Sequence, residues 1–289
     1  MVKIRRKVSK PDWLKIKLPG TEEYKWMNKV VKENHLHTIC TSGKCPNAAE
    51  CWAKGTATFM ILGDICTRAC KFCNVKTGKP EPVDTKEPLR IARSIKIMKV
   101  KHAVITSVDR DDLEDGGAAI WVETIKKVKE LNPETTMEVL IPDFNGNEDL
   151  LQMIIDAKPE VISHNLETVR RLTPEIRTKA KYDVSLGVLK YIAEKGSVAK
   201  SGIMLGLGET EEEILQVMDD LIEVGVSVFT LGQYLQPTPK HLPVKEYVHP
   251  DKFAEYKEAG LKKGFRYVES APLVRSSYNA EAHINALNS

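Results

Sequence analysis

The stretch T-A-T-F-M-I-L-G-D-I-C-T-R-A-C-K-F-C, from Thr56 to Cys73, joins an apolar run to three cysteines. The run Ala57–Gly63 is short and rich in apolar residues, which predicts a buried strand. Cys66, Cys70 and Cys73 follow it, separated by three and then two residues. Three thiolates on one loop can hold three corners of a cubic iron–sulfur cluster and leave the fourth iron open. We therefore predict a cluster-binding loop directly after the first strand of a sheet.

A second cysteine triplet precedes this stretch. Cys40, Cys45 and Cys51 are separated by four and then five residues. The sequence shows no export signal, so metal binding or redox work explains six thiols better than disulfides do. Structural zinc sites usually need two C-x-x-C pairs, or one pair with two histidines. His35 and His37 lie near the first triplet, so zinc stays open as an alternative.

Composition narrows the class of protein. The chain has 289 residues, of which 42% are apolar and 29% are charged, with a net charge of +3. This small charge does not argue for a nucleic-acid partner. No stretch approaches the roughly 18 apolar residues of a membrane span. Met1–Pro19 carries seven Lys or Arg against Asp12 alone, but it lacks the apolar core of a secretory signal. We expect a cytoplasmic protein without membrane association.

From about Thr56 onward, short apolar runs alternate with amphipathic ones. Six strand–helix units predict an α/β fold, a partial (β/α)6 TIM-type barrel with N-terminal and C-terminal extensions. The predicted strands are Ala57–Gly63, Ala103–Ser107, Met137–Pro142, Val161–His164, Lys200–Gly206 and Val228–Leu235, with a late seventh at Tyr267–Val274. The predicted helices are Ile120–Leu131, Leu150–Ala157, Val184–Ala193 and Ile214–Val224. Asp183 and Thr210 are predicted N-caps.

In a barrel of this type, residues after the strands meet at one face. We therefore expect six strand-end residues to converge: Cys66, Asp109, Asp143, Asn165, Gly208 and Gln236. The C-x-x-x-C-x-x-C loop after the first strand resembles the signature of the radical S-adenosylmethionine superfamily. The resemblance implies that S-adenosylmethionine binds the open iron and that an electron from the cluster splits it to a 5′-deoxyadenosyl radical.

Three further segments resemble the cofactor-binding turns of that superfamily, although each could also be an ordinary polar loop. Glu114, Gly116 and Gly117 would lie beside the methionyl amine. The other predicted cofactor-binding residues are Asn165 and Glu167 in H-N-L-E-T, and Lys200, Gly206 and Gly208 in K-S-G-I-M-L-G-L-G-E-T.

The first triplet is more discriminating, because its spacing resembles the auxiliary-cluster motif of lipoyl synthases. Similar strings run through the chain from roughly Lys10 to Ala280: T-A-T-F-M-I-L-G-D, I-T-S-V-D-R-D-D-L, G-Q-Y-L-Q-P and P-L-V-R-S-S-Y. In lipoyl synthases a serine of R-S-S-Y binds the fourth iron of the auxiliary cluster. The matching residue is Ser277, with Ser276 as the alternative. Ala271 departs from the family pattern, where glycine is expected.

The resemblance implies insertion of two sulfur atoms at C6 and C8 of an octanoyl chain. It implies two [4Fe–4S] clusters, one at Cys66, Cys70, Cys73 and a sulfur-donating one at Cys40, Cys45, Cys51 and Ser277. The implied partners are an octanoylated lipoyl carrier domain (H protein or E2 subunit) and an electron donor such as flavodoxin or ferredoxin. The basic segment Lys3–Lys17 could meet an acidic carrier.

We divide the chain into an N-terminal extension (1–55), a barrel (56–265) and a C-terminal segment (266–289) that folds back to residues 40–51. Two alternatives stay open from the sequence. One is another radical sulfur-inserting enzyme, such as a biotin synthase or methylthiotransferase relative. The other is a metal-binding protein without catalytic activity.

Overall fold

The computed structural model describes residues 10–15, 22–34, 36–43, 45, 47–53 and 56–282. His35 and most of the basic segment Lys3–Lys17 lie outside these residues. The described part forms one large sheet, a small two-stranded sheet, and helices that pack against the large sheet through an apolar core. Among these residues, no helix is both long and apolar enough to span a membrane.

The large sheet has eight strands in the order β1-β2-β5-β6-β7-β8-β9-β10. Strands β2 and β5 to β10 pair in parallel, and β1 runs antiparallel to β2 at one edge. The strands are β1 His37–Thr38, β2 Thr56–Ile61, β3 Ile65–Cys66, β4 Lys76–Thr77, β5 His102–Ser107, β6 Thr136–Leu140, β7 Val161–Ser163, β8 Ala199–Leu205, β9 Val228–Gln233 and β10 Tyr267–Ser270. Within the described residues β1 and β10 do not pair, so the barrel is open on one side.

Helices follow the parallel strands and cover the sheet. The α-helices are α1 Glu22–Glu33, α2 Ile39–Ser42, α3 Ala48–Ala53, α4 Glu87–Ile97, α5 Ala118–Leu131, α6 Glu148–Asp156, α7 Thr173–Ile176, α8 Tyr182–Glu194, α9 Glu211–Glu223 and α10 Pro250–Lys263. Short 3-10 helices occur at Asp12–Leu14 and Phe144–Gly146. Strand β2 is buried at all six positions, as expected for a parallel strand covered on both faces.

The architecture confirms the predicted partial barrel. Six strand–helix units run from β2 to α10, and each predicted strand is present with its ends shifted by a few residues. The late seventh strand is present as β10, which pairs in parallel with β9. These strands were predictable because most of them contain a short run of consecutive apolar residues.

The two predicted N-caps differ in outcome. Thr210 caps α9 through a reciprocal capping box with Glu213, which confirms the prediction. The prediction for Asp183 is wrong, because α8 begins at Tyr182, two residues before the predicted Val184, and Lys181 is its N-cap. The Asp183 carboxylate pairs with Arg170 instead.

Candidate functional site

A cavity of about 510 Å³ extends from the carboxyl ends of the parallel strands into the barrel. Five of the six strand-end residues expected to converge line it, and Gly208 does not. These five are Cys66, Asp109, Asp143, Asn165 and Gln236. The structure therefore brings most of the predicted strand-end residues together at one cavity, where barrel chemistry usually gathers.

The cysteine loop begins at Cys66, at the end of the short strand β3. Strand β3 pairs with β4, and the Gly78 N–H donates to the Cys66 carbonyl oxygen at 3.0 Å, which closes the base of the loop. His241 Nε2 lies 2.9 Å from the Cys73 carbonyl oxygen at the far end. Cys66, Cys70 and Cys73 all line the cavity. The loop is thus tied at both ends and presents its three thiols to one space.

Arg68, inside the loop, is the main connection between the loop and the barrel. Its side chain is 4% exposed and donates to both oxygens of Asp111 at 2.8 Å and both oxygens of Asp143 at 2.8–2.9 Å. Asp109 lies 3.4 Å from the same guanidinium. The hydrogen bonds from Arg68 hold the pKa of Asp111 well below its usual value. Such bidentate pairs fix orientation as well as distance, so the ends of β5 and β6 set the position of the loop.

Burial disfavours the thiolate form of the three cysteines on this loop. Burial, reinforced by the charge of Asp109, raises the pKa of Cys66 to about 11. Burial raises the pKa of Cys70 to about 12, and it also raises the pKa of Cys73. Thiolates bind metal, so cluster binding here must release protons. A set of three thiols on one loop fits an iron–sulfur cluster by its donor chemistry.

The C-terminal segment contacts the stretch that carries the first triplet. The Asn47 side chain donates to the Leu273 carbonyl oxygen at 2.6 Å, across 226 residues of sequence. The Tyr278 hydroxyl donates to Glu50 at 3.1 Å, one residue before Cys51. Ser276 and Ser277 both line the large cavity. Ala271 does not have a positive φ, so alanine in place of glycine causes no strain there.

Two polar groups indicate what the cavity could accept. Arg275 lies close to Cys45, and burial lowers its pKa. Among the described residues no carboxylate forms an ion pair with Arg275. The buried Asn165 Oδ1 likewise has no hydrogen-bond partner in this part of the chain. A cationic group beside a thiol suits an anionic thiolate-ligated cluster, and the amide oxygen suits a polar ligand.

Ligands of a cluster bind different irons, so they lie farther apart than the ligands of a single ion. Within the residues described, no three His, Cys, Asp or Glu side chains converge on one metal-ion position.

The predicted cofactor-binding residues fall into two groups. Asn165 and Glu167 line the cavity, and burial raises the pKa of Glu167 despite Arg177 nearby. The remaining six are not among the lining residues, and their assignment stays a prediction: Glu114, Gly116, Gly117, Lys200, Gly206 and Gly208.

Contacts within the protein occupy several of these residues. The Gly206 and Gly208 N–H groups donate to the Glu209 carboxylate at 2.9 and 3.1 Å. Lys200 pairs with the buried Glu138, and Glu114 is exposed. The turn from Gly206 to Gly208 therefore satisfies its own N–H groups, and Lys200 is paired within the sheet.

Sequence reasoning missed several residues that shape the site. In the sequence, Arg68 and Arg177 stand out only as charged residues. The position of Arg68 between Cys66 and Cys70 is nevertheless a signal that sequence reasoning could have used. Gly202 also lines the cavity, and a Cβ there would lie 2.3 Å from Thr230 Oγ1 and 3.2 Å from Asn165 Oδ1. A glycine inside a buried strand is a known sign of close approach by another group.

Comparison with known proteins identifies the family. The profile of the radical SAM superfamily matches residues 60–221. The chain is 63% identical over 275 residues to lipoyl synthase of Parabacteroides distasonis, covering 95% of this chain and 98% of that one. It is likewise 63% identical to lipoyl synthase of Treponema denticola, covering 95% of each chain.

Solved structures agree on the fold. Streptococcus suis SuiB bound to precursor peptide SuiA superimposes with a TM-score of 0.60 at 14% identity, covering 86% of this chain and 52% of that chain. Methylornithine synthase gives a TM-score of 0.56 at 12% identity, covering 88% and 86%. At this identity the likeness shows the fold alone. The sequence matches go further, and the chain belongs to the lipoyl synthase family within the radical SAM superfamily.

Proposed function

We propose that this chain is a lipoyl synthase in activity, inserting sulfur at C6 and C8 of an octanoyl chain carried by a protein. The observation that carries the proposal is a single cavity lined both by Cys66, Cys70 and Cys73 and by Ser276 and Ser277. An enzyme that activates carbon and then delivers sulfur needs both functions next to one substrate. Membership of the lipoyl synthase family supports the same reaction.

Family membership implies a [4Fe–4S] cluster and S-adenosylmethionine, and the second triplet fits the cluster by its donors. When bound, these groups supply the 5′-deoxyadenosyl radical that unactivated C–H bonds require, with two S-adenosylmethionine molecules used for each product. Cys66, Cys70 and Cys73 would hold the cluster. Asn165 and Glu167 would bind polar groups of S-adenosylmethionine. The hydrogen bonds from Arg68 to Asp111 and Asp143 keep the loop in place while these groups bind.

The lining of the cavity suits the proposed substrate. Apolar surface between the polar groups comes from four residues: Met60, Val104, Ile203 and Met204. An octanoyl chain offers only methylene and methyl groups along most of its length, so apolar walls are what can bind it. Such walls also exclude water from a reactive radical.

The first triplet is proposed to hold a second [4Fe–4S] cluster, with Cys40, Cys45, Cys51 and Ser277 as ligands. The contacts Asn47–Leu273 and Tyr278–Glu50 support this set, because they bring R-S-S-Y to the triplet. An alkoxide is a harder ligand than a thiolate and matches iron less well. Serine is therefore the ligand easiest to displace when the cluster gives up sulfur.

Lipoyl synthases act on lipoyl carrier proteins, so we propose an octanoylated H protein or E2 domain as the partner. A flavodoxin or ferredoxin is proposed as the electron donor. The basic segment Lys3–Lys17 is proposed to attract an acidic carrier surface. Deletion of Met1–Ser9 tests this role, and an unchanged apparent KM for carrier protein would argue against it.

The decisive experiment distinguishes the roles of the two triplets during anaerobic turnover. With an octanoyl-lysyl peptide, mass spectrometry should detect the dithiolated product from the native chain. Replacing Cys40, Cys45 or Cys51 by Ala should abolish sulfur insertion while 5′-deoxyadenosine still forms. Replacing Cys66, Cys70 or Cys73 should stop both. Equal loss of cleavage in folded variants of the two triplets would contradict the proposal.

A further inference from the structure

Inside the barrel, one lysine connects the sheet to the C-terminal segment. Lys200 on β8 and Glu138 on β6 are both 0% exposed, and Lys200 Nζ lies 2.7 Å from each carboxylate oxygen of Glu138. The same Nζ donates to the main-chain carbonyl oxygen of Ser276 at 2.6 Å. Strand β7 lies between β6 and β8 in the sheet. The pair thus bridges strands that are not neighbours and reaches a third segment 76 residues away.

Stability alone does not explain this arrangement. Moving two charges out of water costs several kcal/mol for each ion, and apolar side chains of similar volume often fill such a position equally well. Apolar side chains cannot replace the hydrogen bond to the Ser276 carbonyl, however. This third contact is what the ion pair adds to the molecule.

The position of that carbonyl matters because it constrains the next residue in the chain. The Ser276 carbonyl belongs to the same rigid peptide plane as the nitrogen and Cα of Ser277. On the other side, the Tyr278 hydroxyl bonds to Glu50 on α3, the helix that carries Cys51. Ser277 is therefore held between the barrel interior and the first triplet. These two contacts on neighbouring residues limit the positions that the Ser277 Oγ can reach.

We propose that Lys200, oriented by Glu138, is a positioning residue that holds the Ser277 backbone so that its Oγ can reach the auxiliary cluster. The inference rests on the proposed function, in which Ser277 completes the ligand set of the first triplet. Lys200 touches neither the cluster nor the substrate in this role. Lys200 acts on Ser277, the proposed ligand that is most easily displaced, so loss of Lys200 should weaken cluster binding at that corner.

The test uses iron release, not turnover. A parent variant with Cys66, Cys70 and Cys73 replaced by Ala retains only the auxiliary site. In this parent we compare Glu138→Leu/Lys200→Met with the unmodified pair, using anaerobic transfer of iron to an external chelator. The double substitution avoids leaving Glu138 buried without its partner, which a single Lys200 change would do. We expect iron release at least tenfold faster in the double variant.

Glu138→Gln is the matched control, because its amide oxygen can still accept the hydrogen bond that orients Lys200 toward the Ser276 carbonyl. We expect its iron release to stay within twofold of the parent. Equal rates in the double variant and the parent, with unchanged circular dichroism, would overturn the inference. So would failure of the double variant to fold, since the pair would then serve the fold as a whole. A parent that holds no iron would refute the proposed auxiliary cluster itself, which separates the two failures.

Discussion

Arg68 donates to both carboxylate oxygens of Asp143, from Nη1 at 2.9 Å and from Nη2 at 2.8 Å. Arg68 lies between Cys66 and Cys70, whereas Asp143 comes after strand β6. The sheet therefore fixes the geometry of the cysteine loop through this contact. A loop held this way does not need the cluster to define its shape, and it can present three thiols in one arrangement before iron arrives.

Replacing Arg68 by Met should prevent Cys66, Cys70 and Cys73 from binding their cluster. The change leaves Asp143 buried without its cationic partner, a loss of about 3–5 kcal/mol at a buried pair, whereas Asp111 keeps its ion pair with Lys179. We expect iron content to fall from about eight to about four atoms per chain, since each cube holds four, and 5′-deoxyadenosine formation to fall at least 100-fold. Arg110→Met is the matched control, because Arg110 is equally buried but pairs with Asp112 outside the loop. Full iron content in Arg68→Met would contradict the prediction.

Replacing Gly232 by Ala should uncouple cleavage from sulfur insertion. A Cβ at this position would lie 2.1 Å from the Val274 carbonyl oxygen, so the segment that carries Ser277 must shift. We expect product per 5′-deoxyadenosine to fall at least tenfold, measured by mass spectrometry, while cleavage changes by less than about threefold. Gly187→Ala is the control, because a Cβ at Gly187 on α8 meets nothing within 4 Å. An unchanged product ratio in Gly232→Ala would show that the segment tolerates the displacement.

Glu167→Gln should weaken binding of S-adenosylmethionine. The Glu167 carboxylate lines the cavity beside Asn165, and a hydrogen bond to a charged group contributes about 1.5–3 kcal/mol. Losing the charge should raise the Kd for S-adenosylmethionine about tenfold or more, as measured by equilibrium binding to the reconstituted protein. Glu175→Gln, at an exposed position on α7, should leave the Kd unchanged. Equal affinities in all three proteins would remove Glu167 from the proposed cofactor site.

The pH dependence of stability should show that His102 is held neutral in the folded protein. Burial lowers the pKa of its imidazole to about 3, whereas the unfolded chain titrates near 6.5. Below pH 6.5 the unfolded state therefore binds a proton that the folded state does not, and stability falls as the pH drops toward 3.

Between pH 7 and 5 this histidine should account for about 2 kcal/mol of lost unfolding free energy. In His102→Asn, which can keep the hydrogen bond to Thr136, that part of the loss should be absent. Urea unfolding at both pH values, in both proteins, measures it. Parallel losses in the two proteins would mean that His102 is not held neutral.

Local patterns predicted the strands, the strand-end site and both cysteine triplets, because each signal is contained within a few residues. Lys200 was predicted to bind the cofactor, but its environment depends on Glu138, 62 residues earlier on a strand that is not its neighbour. Gly206 and Gly208 resembled a ligand-binding turn, yet Glu209 supplies the carboxylate that their N–H groups bind. Which acceptor a polar group finds is decided by three-dimensional packing, and spacing along the chain does not carry that information.

The contact between Asn47 and Leu273 has a consequence for how the protein is made. The ribosome synthesises the three cysteines of the first triplet early, but the segment that packs on them emerges more than two hundred residues later. Contacts between such distant residues form late in folding. The loop of Cys66, Cys70 and Cys73 and the strands around it can assemble during synthesis. Maturation should thus be ordered in time, with the loop of Cys66, Cys70 and Cys73 shaped first and the end of the cavity beside Ser276 and Ser277 completed only after the barrel exists.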